Sequence, residues 1–230
     1  MIRILFICHG NICRSPMAEF YMKDLCARAG LSGEFEIASA ATSTEELGNG
    51  VYPPVRRLLD EHGIDCRGKT ARLMQPSDYD AFDLLIGMDA YNLRNMGRLF
   101  GPDPQGKLRL LLDYADRPGQ SVADPWYTRD FETTWEDVSA GCTGLLGAHY
   151  GAVVLDFDDC DSRGALYARL RQAMGWESWY GENLDALWDV LTGLPHDGGR
   201  FIVALPREDG PVRDYALRIR EVFREAGLLL

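Results

Sequence analysis

The sequence has no disulfide framework, membrane span, secretory signal or cationic surface, and each absence removes a class of function. Its six cysteines, at positions 8, 13, 26, 66, 142 and 160, are scattered through 230 residues. Their spacings make no CxxC pair and no zinc-type Cys/His cluster, so neither a secreted disulfide scaffold nor a metal site is expected, and no cofactor is implied. Only Cys8 and Cys13 lie close enough along the chain to matter to each other. No apolar run approaches the ~20 residues of a membrane helix. The opening Met1-Ile2-Arg3-Ile4-Leu5-Phe6-Ile7 is too short for a signal peptide and has no small-residue cleavage site. It reads as a strand of a soluble, cytoplasmic protein. Lys and Arg number 24 against 35 Asp and Glu, a net charge of −11. Direct binding of nucleic acid is not expected, because no broad cationic field meets the phosphates. A basic protein remains a fitting partner.

Hydrophobic residues make up 46% and charged residues 26% of the chain, ordinary values for a folded protein. The length allows one large domain or two small ones. Strand signals at Ile2–Ile7, Phe35–Ala41, Leu84–Met88 and Leu108–Leu112 alternate with helical periodicity at Pro16–Ala29, Pro53–His62, Ala90–Leu99 and Phe131–His149. Such alternation predicts an α/β fold whose parallel sheet is covered by helices on both faces. After Tyr150 the pattern restarts: strands at Ala152–Phe157 and Phe201–Leu205, helices at Arg163–Met174, Gly181–Thr192 and Val212–Ala226. Residues 151–230 hold nine arginines, no lysine and fourteen acids, a net of −5. No Gly/Ser or Pro-rich linker separates the halves, so domains are expected at 1–149 and 150–230 with a tight junction.

Between the first strand and first helix runs Cys8-His9-Gly10-Asn11-Ile12-Cys13-Arg14-Ser15-Pro16. A Cys and an Arg six apart on such a loop form a cradle for a tetrahedral oxyanion. Backbone N–H groups point inward, the helix adds its positive end, and Arg14 grips two oxygens. The same field favours the Cys8 thiolate, a nucleophile. Ser15 can donate to that thiolate, Asn11 can hold a strained loop through its side chain, and Pro16 suits a first helical turn. Phosphoryl transfer to a thiolate needs an acid for the leaving oxygen. Asp124, in Asp124-Pro125-Trp126-Tyr127, is the candidate, with Trp126 and Tyr127 walling an aryl substrate. An ordinary Asp-Pro turn is the commoner use of such a segment, and the thiolate loop tips the reading towards the acid.

Residues 1–149 resemble the low-molecular-weight protein tyrosine phosphatases. The resemblance rests on Cys8–Pro16, on Ser39-Ala40-Ala41-Thr42-Ser43 with Gly48-Asn49, on Ala71-Arg72, on Met88-Asp89 with Asn92-Leu93, and on Asp124–Tyr127. It implies a flavodoxin-like four-stranded parallel sheet, Cys8 as nucleophile, Arg14 as phosphate clamp and Asp124 as general acid and then base. Phosphotyrosine proteins or aryl phosphates are the implied substrates. Asn11, Ser15 and Ser39 are implied as loop supports, and His9, Gly10, Ile12 and Cys13 as the rest of the phosphate loop. Two positions depart from the family pattern. Lys69 stands where many members carry a His that holds the loop asparagine, a change expected to loosen the loop. His9 stands where an apolar residue is frequent, and is expected to tune the pocket edge. The resemblance further implies that Cys13 can trap oxidised Cys8 as a disulfide; a small buried packing role is the equal alternative. Arsenate reductases share the loop but need two closely spaced resolving cysteines, and Cys66 and Cys142 are far apart.

The second dense stretch is Trp179-Tyr180-Gly181-Glu182-Asn183-Leu184-Asp185-Ala186-Leu187-Trp188-Asp189. On a helix, Leu184, Leu187 and Leu191 share an apolar face, while Asp185 and Asp189 are i,i+4 neighbours that destabilise an isolated helix. A solvated acidic face is the plain reading. Residues 151–230 are, however, similar to the barstar family of ribonuclease inhibitors, which implies a small α/β domain. Trp179, Asp185, Trp188 and Asp189 would then meet a basic, barnase-like ribonuclease. The family's closing strand has barely room here, at Gly227-Leu228-Leu229-Leu230. The combined expectation is a cysteine-dependent phosphatase joined to a barstar-like module. The alternative is a binding module for which the phosphatase fold serves as platform.

Overall fold

Every side chain from Ile4 to Cys8 is buried, a pattern that requires a strand covered on both faces and paired on both edges. In the computed structural model, which describes residues 1–175, 181–193 and 199–230, that strand is β1 (Ile2–Cys8). It pairs in parallel with β2 (Phe35–Ala41) on one side and β3 (Leu84–Gly87) on the other. The short β4 (Leu108–Leu110) extends the sheet beyond β3, giving the order β2-β1-β3-β4. Parallel pairing requires crossovers, and helices supply most of them. Helix α1 (Arg14–Ala29) connects β1 to β2; α2 (Pro53–Glu61) and the single-turn α3 (Asp78–Ala81) lie between β2 and β3; α4 (Ala90–Phe100) connects β3 to β4. The chain then runs through α5 (Pro125–Thr128) and the long α6 (Phe131–Tyr150). The strand order reverses between β1 and β3, so the crevice beyond their carboxyl ends is where an open α/β sheet binds its ligand. The loop after β1 is there.

Two units are distinguished: Met1–Asp24 with Leu31–Leu145, and Leu25–Gly30 with Leu146–Leu230. In the first, Leu5, Ile7, Ala40, Met74, Phe82, Leu85 and Met96 pack into one core. Helix α6 carries glycines where it approaches the turn at Leu111–Ala115. A Cβ on Gly144 would sit 1.7 Å from the Tyr114 carbonyl oxygen, and one on Gly141 2.4 Å from Leu111 Cγ. At Gly144 no side chain fits without moving backbone, and at Gly141 the Leu111 side chain would have to shift.

The second unit holds β5 (Ala152–Asp156), α7 (Arg163–Met174), α8 (Leu184–Gly193), β6 (Arg200–Ala204) and α9 (Pro211–Glu225). β5 and β6 are parallel. Leu155, Phe157, Leu166, Tyr167, Leu170, Leu187, Leu191, Val203, Ile219 and Phe223 form its core, in which the Tyr167 and Tyr215 hydroxyls are 3.0 Å apart. The closing strand is reduced to one parallel bridge, Phe201 with Leu229. The Phe201 N–H donates to Leu228 O at 2.8 Å and the Leu230 N–H to Phe201 O at 2.9 Å.

Other bounds shift for local reasons. The strand expected to reach Leu112 stops at Leu110, because Asp113 accepts from the Leu110 N–H and turns the chain. Helix α8 starts at Leu184 rather than Gly181, because the Asn183 side chain accepts from the Ala186 N–H at 2.9 Å and caps it. Helix α1 starts at Arg14, with Pro16 inside the first turn where its missing N–H costs nothing. Among the described residues no helix is long and apolar enough to cross a membrane.

Candidate active site

The loop between β1 and α1 wraps around the Cys8 sulfur. The Asn11 N–H donates to Cys8 Sγ at 3.3 Å, and Ser15 Oγ lies 3.0 Å from it. Asn11 takes the left-handed conformation, φ 57°, which Asn tolerates better than most residues because its short amide can hydrogen-bond locally. Here its amide is fully engaged: Nδ2 donates to Ser15 Oγ at 2.9 Å and Ser39 Oγ at 2.7 Å, while Oδ1 accepts from the Arg72 N–H at 3.2 Å.

These bonds fix their own direction. Ser39 Oγ donates to Glu19 Oε2 at 2.6 Å, so it can accept from Asn11. Both Asn11 amide hydrogens are then used on the two serines, and the Ser15 hydroxyl hydrogen is left for Cys8 Sγ, where it stabilises a thiolate. The chain starts from Glu19, which Lys69 meets at 2.8 Å and Lys23 at 2.6 Å. Burial alone would raise the Glu19 carboxyl, but Lys69, Lys23 and Ser39 together bring it below its usual range. Lys69 meets this network through Glu19 and Ser39 rather than through the loop asparagine itself. It reaches Ser39 O at 3.2 Å and anchors the far end of the network.

Arg14 is buried, and its two arms go to two carboxylates: Nη1 to Asp89 Oδ2 and Nη2 to Asp124 Oδ2, each at 2.7 Å. Burial disfavours its charge, yet Cys8, Asp124 and Asp89 outweigh that and raise its pKa. Asp89 also caps α4, accepting from the Asn92 N–H at 2.7 Å. Asp124 caps α5 by accepting from the Trp126 N–H at 3.0 Å, with Pro125 in the first helical position. A cleft of about 210 Å³ opens above the loop, lined by Cys8, His9, Gly10, Ile12, Cys13, Arg14, Glu45, Glu46, Asp124, Trp126 and Tyr127. Tyr52 backs its aromatic wall, 5.7 Å from Trp126 and 6.3 Å from Phe131 between ring centroids. The Cys13 thiol is pushed up to about 12 by burial first, then by Cys8 and Asp124.

A buried sulfur that accepts an N–H and an O–H, beside a fork-shaped cation and a capping carboxylate, is a site for thiolate attack on phosphorus. Residues 3–153 match the family model described as low molecular weight phosphotyrosine protein phosphatase. The chain belongs to that family. Its phosphatase region is 38% identical over 149 residues to the low molecular weight protein-tyrosine-phosphatase YfkJ of Bacillus subtilis, covering 64% of this chain and 96% of the relative. Identity to PtpA of Staphylococcus epidermidis is 35% over 146 residues, 64% of this chain and 92% of the relative. The crystal structure of YfkJ superposes with a TM-score of 0.63 at 37% identity, covering 66% of this chain and 96% of that one. That of the Streptococcus pyogenes enzyme gives 0.57 at 36%, covering 64% and 93%. Residues 150–227 match the family model described as Barstar (barnase inhibitor). The chain is thus a cysteine-based low molecular weight phosphotyrosine phosphatase with a barstar-type region after it.

In this phosphatase, Cys8, His9, Gly10, Ile12, Cys13, Arg14, Asp124, Trp126 and Tyr127 share the cleft, and Asn11, Ser15 and Ser39 lie buried behind the loop. Cys66 and Cys142, of interest only for an arsenate reductase, are both buried. Asp185, Trp188 and Asp189 are exposed on α8, while Leu187 and Leu191 turn into its core. Trp179 lies outside the described residues. Sequence reasoning missed Asp89, Glu19 and the acids Glu45 and Glu46 of the cleft wall. Asp89 had a signal: it follows a strand, opens a helix, and lies beside the position where the strand order reverses.

Proposed function

We propose that Cys8, Arg14 and Asp124 carry the reaction. Cys8 Sγ attacks phosphorus, the S–P bond forms as the P–O bond to the aryl group breaks, and the departing phenolate takes a proton from Asp124. Arg14 and the inward N–H groups of the loop hold the equatorial oxygens. Water then attacks the phosphocysteine, Asp124 accepts its proton, and the thiolate returns to the Ser15 hydroxyl. The observation that supports this most directly is the arrangement of Cys8 Sγ, 3.0 Å from Ser15 Oγ, in a loop that ends on Arg14. Steady-state hydrolysis of aryl phosphates tests it. Cys8→Ser should abolish turnover, and Asp124→Ala should lower kcat by ~10²–10⁴, most for poor leaving groups. An Asp124→Ala enzyme as active as wild type would remove the acid from its role.

We further propose that residues 1–149 act as the enzyme and residues 150–230 as a binding module for a basic, barnase-like ribonuclease, through Asp185, Trp188 and Asp189. These side chains share an exposed face, and the i,i+4 acids weaken the helix by ~0.2–0.5 kcal/mol unless a cationic cleft compensates them. Exposed Trp188 supplies the apolar anchor that hot spots favour. Titration of the full chain against a panel of such ribonucleases tests this, with association that slows as salt rises. Micromolar protein that leaves every ribonuclease active overturns it.

A further inference from the structure

The cleft wall sets two further carboxylates, one of them against His9, beside a phosphate clamp already shared with two others. Arg14 is shared between Asp89 and Asp124, yet Glu45 and Glu46 also line the same cleft. Their placement is built in. The Glu46 Cγ would lie 3.0 Å from a Cβ on Gly10, so its stem rests on the phosphate loop itself. Its carboxylate accepts from Asn49 Nδ2 at 2.8 Å. Glu45 Oε2 is 3.1 Å from His9 Nε2, and both side chains are more than half exposed, at 71% and 56%. The Glu46 charge is felt inside the cleft, where it adds to the rise of the Cys13 thiol. Arg129 is turned onto the Trp126 ring and the Tyr52 hydroxyl and does not line the cleft.

A phosphate dianion entering beside two carboxylates is repelled, and a cation carried by the substrate removes that penalty. We propose that Glu45 and Glu46 select phosphotyrosine substrates with lysine or arginine next to the phosphotyrosine and reject those with acidic neighbours. This rests on the phosphatase reading and assigns the acids of the wall a part in specificity; they form no site apart from that cleft.

The test is kcat/KM of the full chain for phosphotyrosine peptides that differ only in carrying Lys, Ala or Glu on both sides of the phosphotyrosine, with p-nitrophenyl phosphate alongside. Each exposed charge pair is worth little, so the expected Lys-over-Glu preference is about three- to tenfold at low salt, with the Ala peptide between. Raising salt from about 0.05 M to about 0.5 M should shrink the preference towards unity. The double variant Glu45→Gln/Glu46→Gln should bring the ratio to within about twofold. Equal turnover of the peptides by wild type, with p-nitrophenyl phosphate hydrolysed, overturns the proposal. So does a preference that persists in the double variant or in high salt. Turnover of none of the substrates overturns the phosphatase reading, and this proposal with it.

Discussion

Arg14 and Asp124 form an ion pair across the cleft, Nη2 to Oδ2 at 2.7 Å. The guanidinium that would grip a phosphate is thus held by the carboxylate that would protonate the leaving group. On the proposed mechanism an arriving phosphate would take that arm from Asp124, and the carboxylate, no longer paired with a cation, would bind the proton that it then gives to the leaving oxygen. The other arm stays on Asp89, which α4 holds at its N-terminus.

Competition for Arg14 has a measurable sign. Asp124→Asn keeps the shape and removes the competing charge, so inorganic phosphate should inhibit the variant more tightly, by about two- to tenfold, while kcat falls by ~10²–10⁴. Inhibition constants for phosphate beside kcat check both. Weaker phosphate binding by Asp124→Asn would mean that the ion pair helps the anion in.

The network behind the loop makes the first unit acid-sensitive. The Glu19 carboxyl is lowered in the fold despite its burial, so its stabilising contribution is present above the unfolded carboxyl pKa of about 4.3 and is lost as pH falls through the lower folded value. Glu19→Gln should cost on the order of 1–3 kcal/mol at pH 7, because Lys69 and Lys23 lose the carboxylate they meet. Denaturant unfolding at pH 7 and at about pH 3 should show the gap to wild type closing in acid. A gap of constant size would remove the linkage.

The loop from Cys8 to Pro16 was legible because its partners are neighbours in sequence: sulfur, arginine, serine and helix start all lie within nine residues. The parallel sheet was legible for the same reason, since each strand announces itself as a short apolar run. What joins Arg14 to Asp89, or Glu19 to Lys69, is the crossover topology, which brings together residues 75 and 50 positions apart, so spacing carries no signal for either pair. Lys69 is instructive. Read as a substitution, it is expected to loosen the loop; in the fold it meets the network through Glu19 and Ser39. The end of β4 at Leu110 turns on one hydrogen bond and the closing bridge at Leu229 on two, below what periodicity resolves.

Two glycines in helices should respond oppositely to the same change. Gly144→Ala drives a Cβ into the Tyr114 carbonyl and should destabilise by about 1–3 kcal/mol or more. Gly97, in α4, has nothing within 4 Å of an added Cβ, so Gly97→Ala should stabilise by up to about 1 kcal/mol. Thermal unfolding of both variants checks the pair; similar shifts in the same direction would contradict the packing.

Cys13 is held as a thiol: burial pushes its pKa up to about 12, and the neighbouring Cys8 charge adds to the rise. If Cys8 is oxidised to a sulfenic acid, the redox role the resemblance implies has the Cys13 sulfur attack it, forming a disulfide and releasing water. Mild peroxide should therefore inactivate the enzyme reversibly, with thiol restoring activity, and Cys13→Ser should make the loss progressive and irreversible. Peptide mapping that finds Cys13 free in the rescuable form would end this role.

The most direct measurement is a rapid acid quench of the wild-type enzyme mixed with an aryl phosphate, followed by peptide mapping for the phosphoryl group. Phosphate should appear on Cys8 within the first turnover and accumulate further in Asp124→Ala when the leaving group is good, with neither label nor turnover in Cys8→Ser. Turnover retained by Cys8→Ser, with no phosphoryl group on the wild-type cysteine, would contradict the phosphocysteine mechanism.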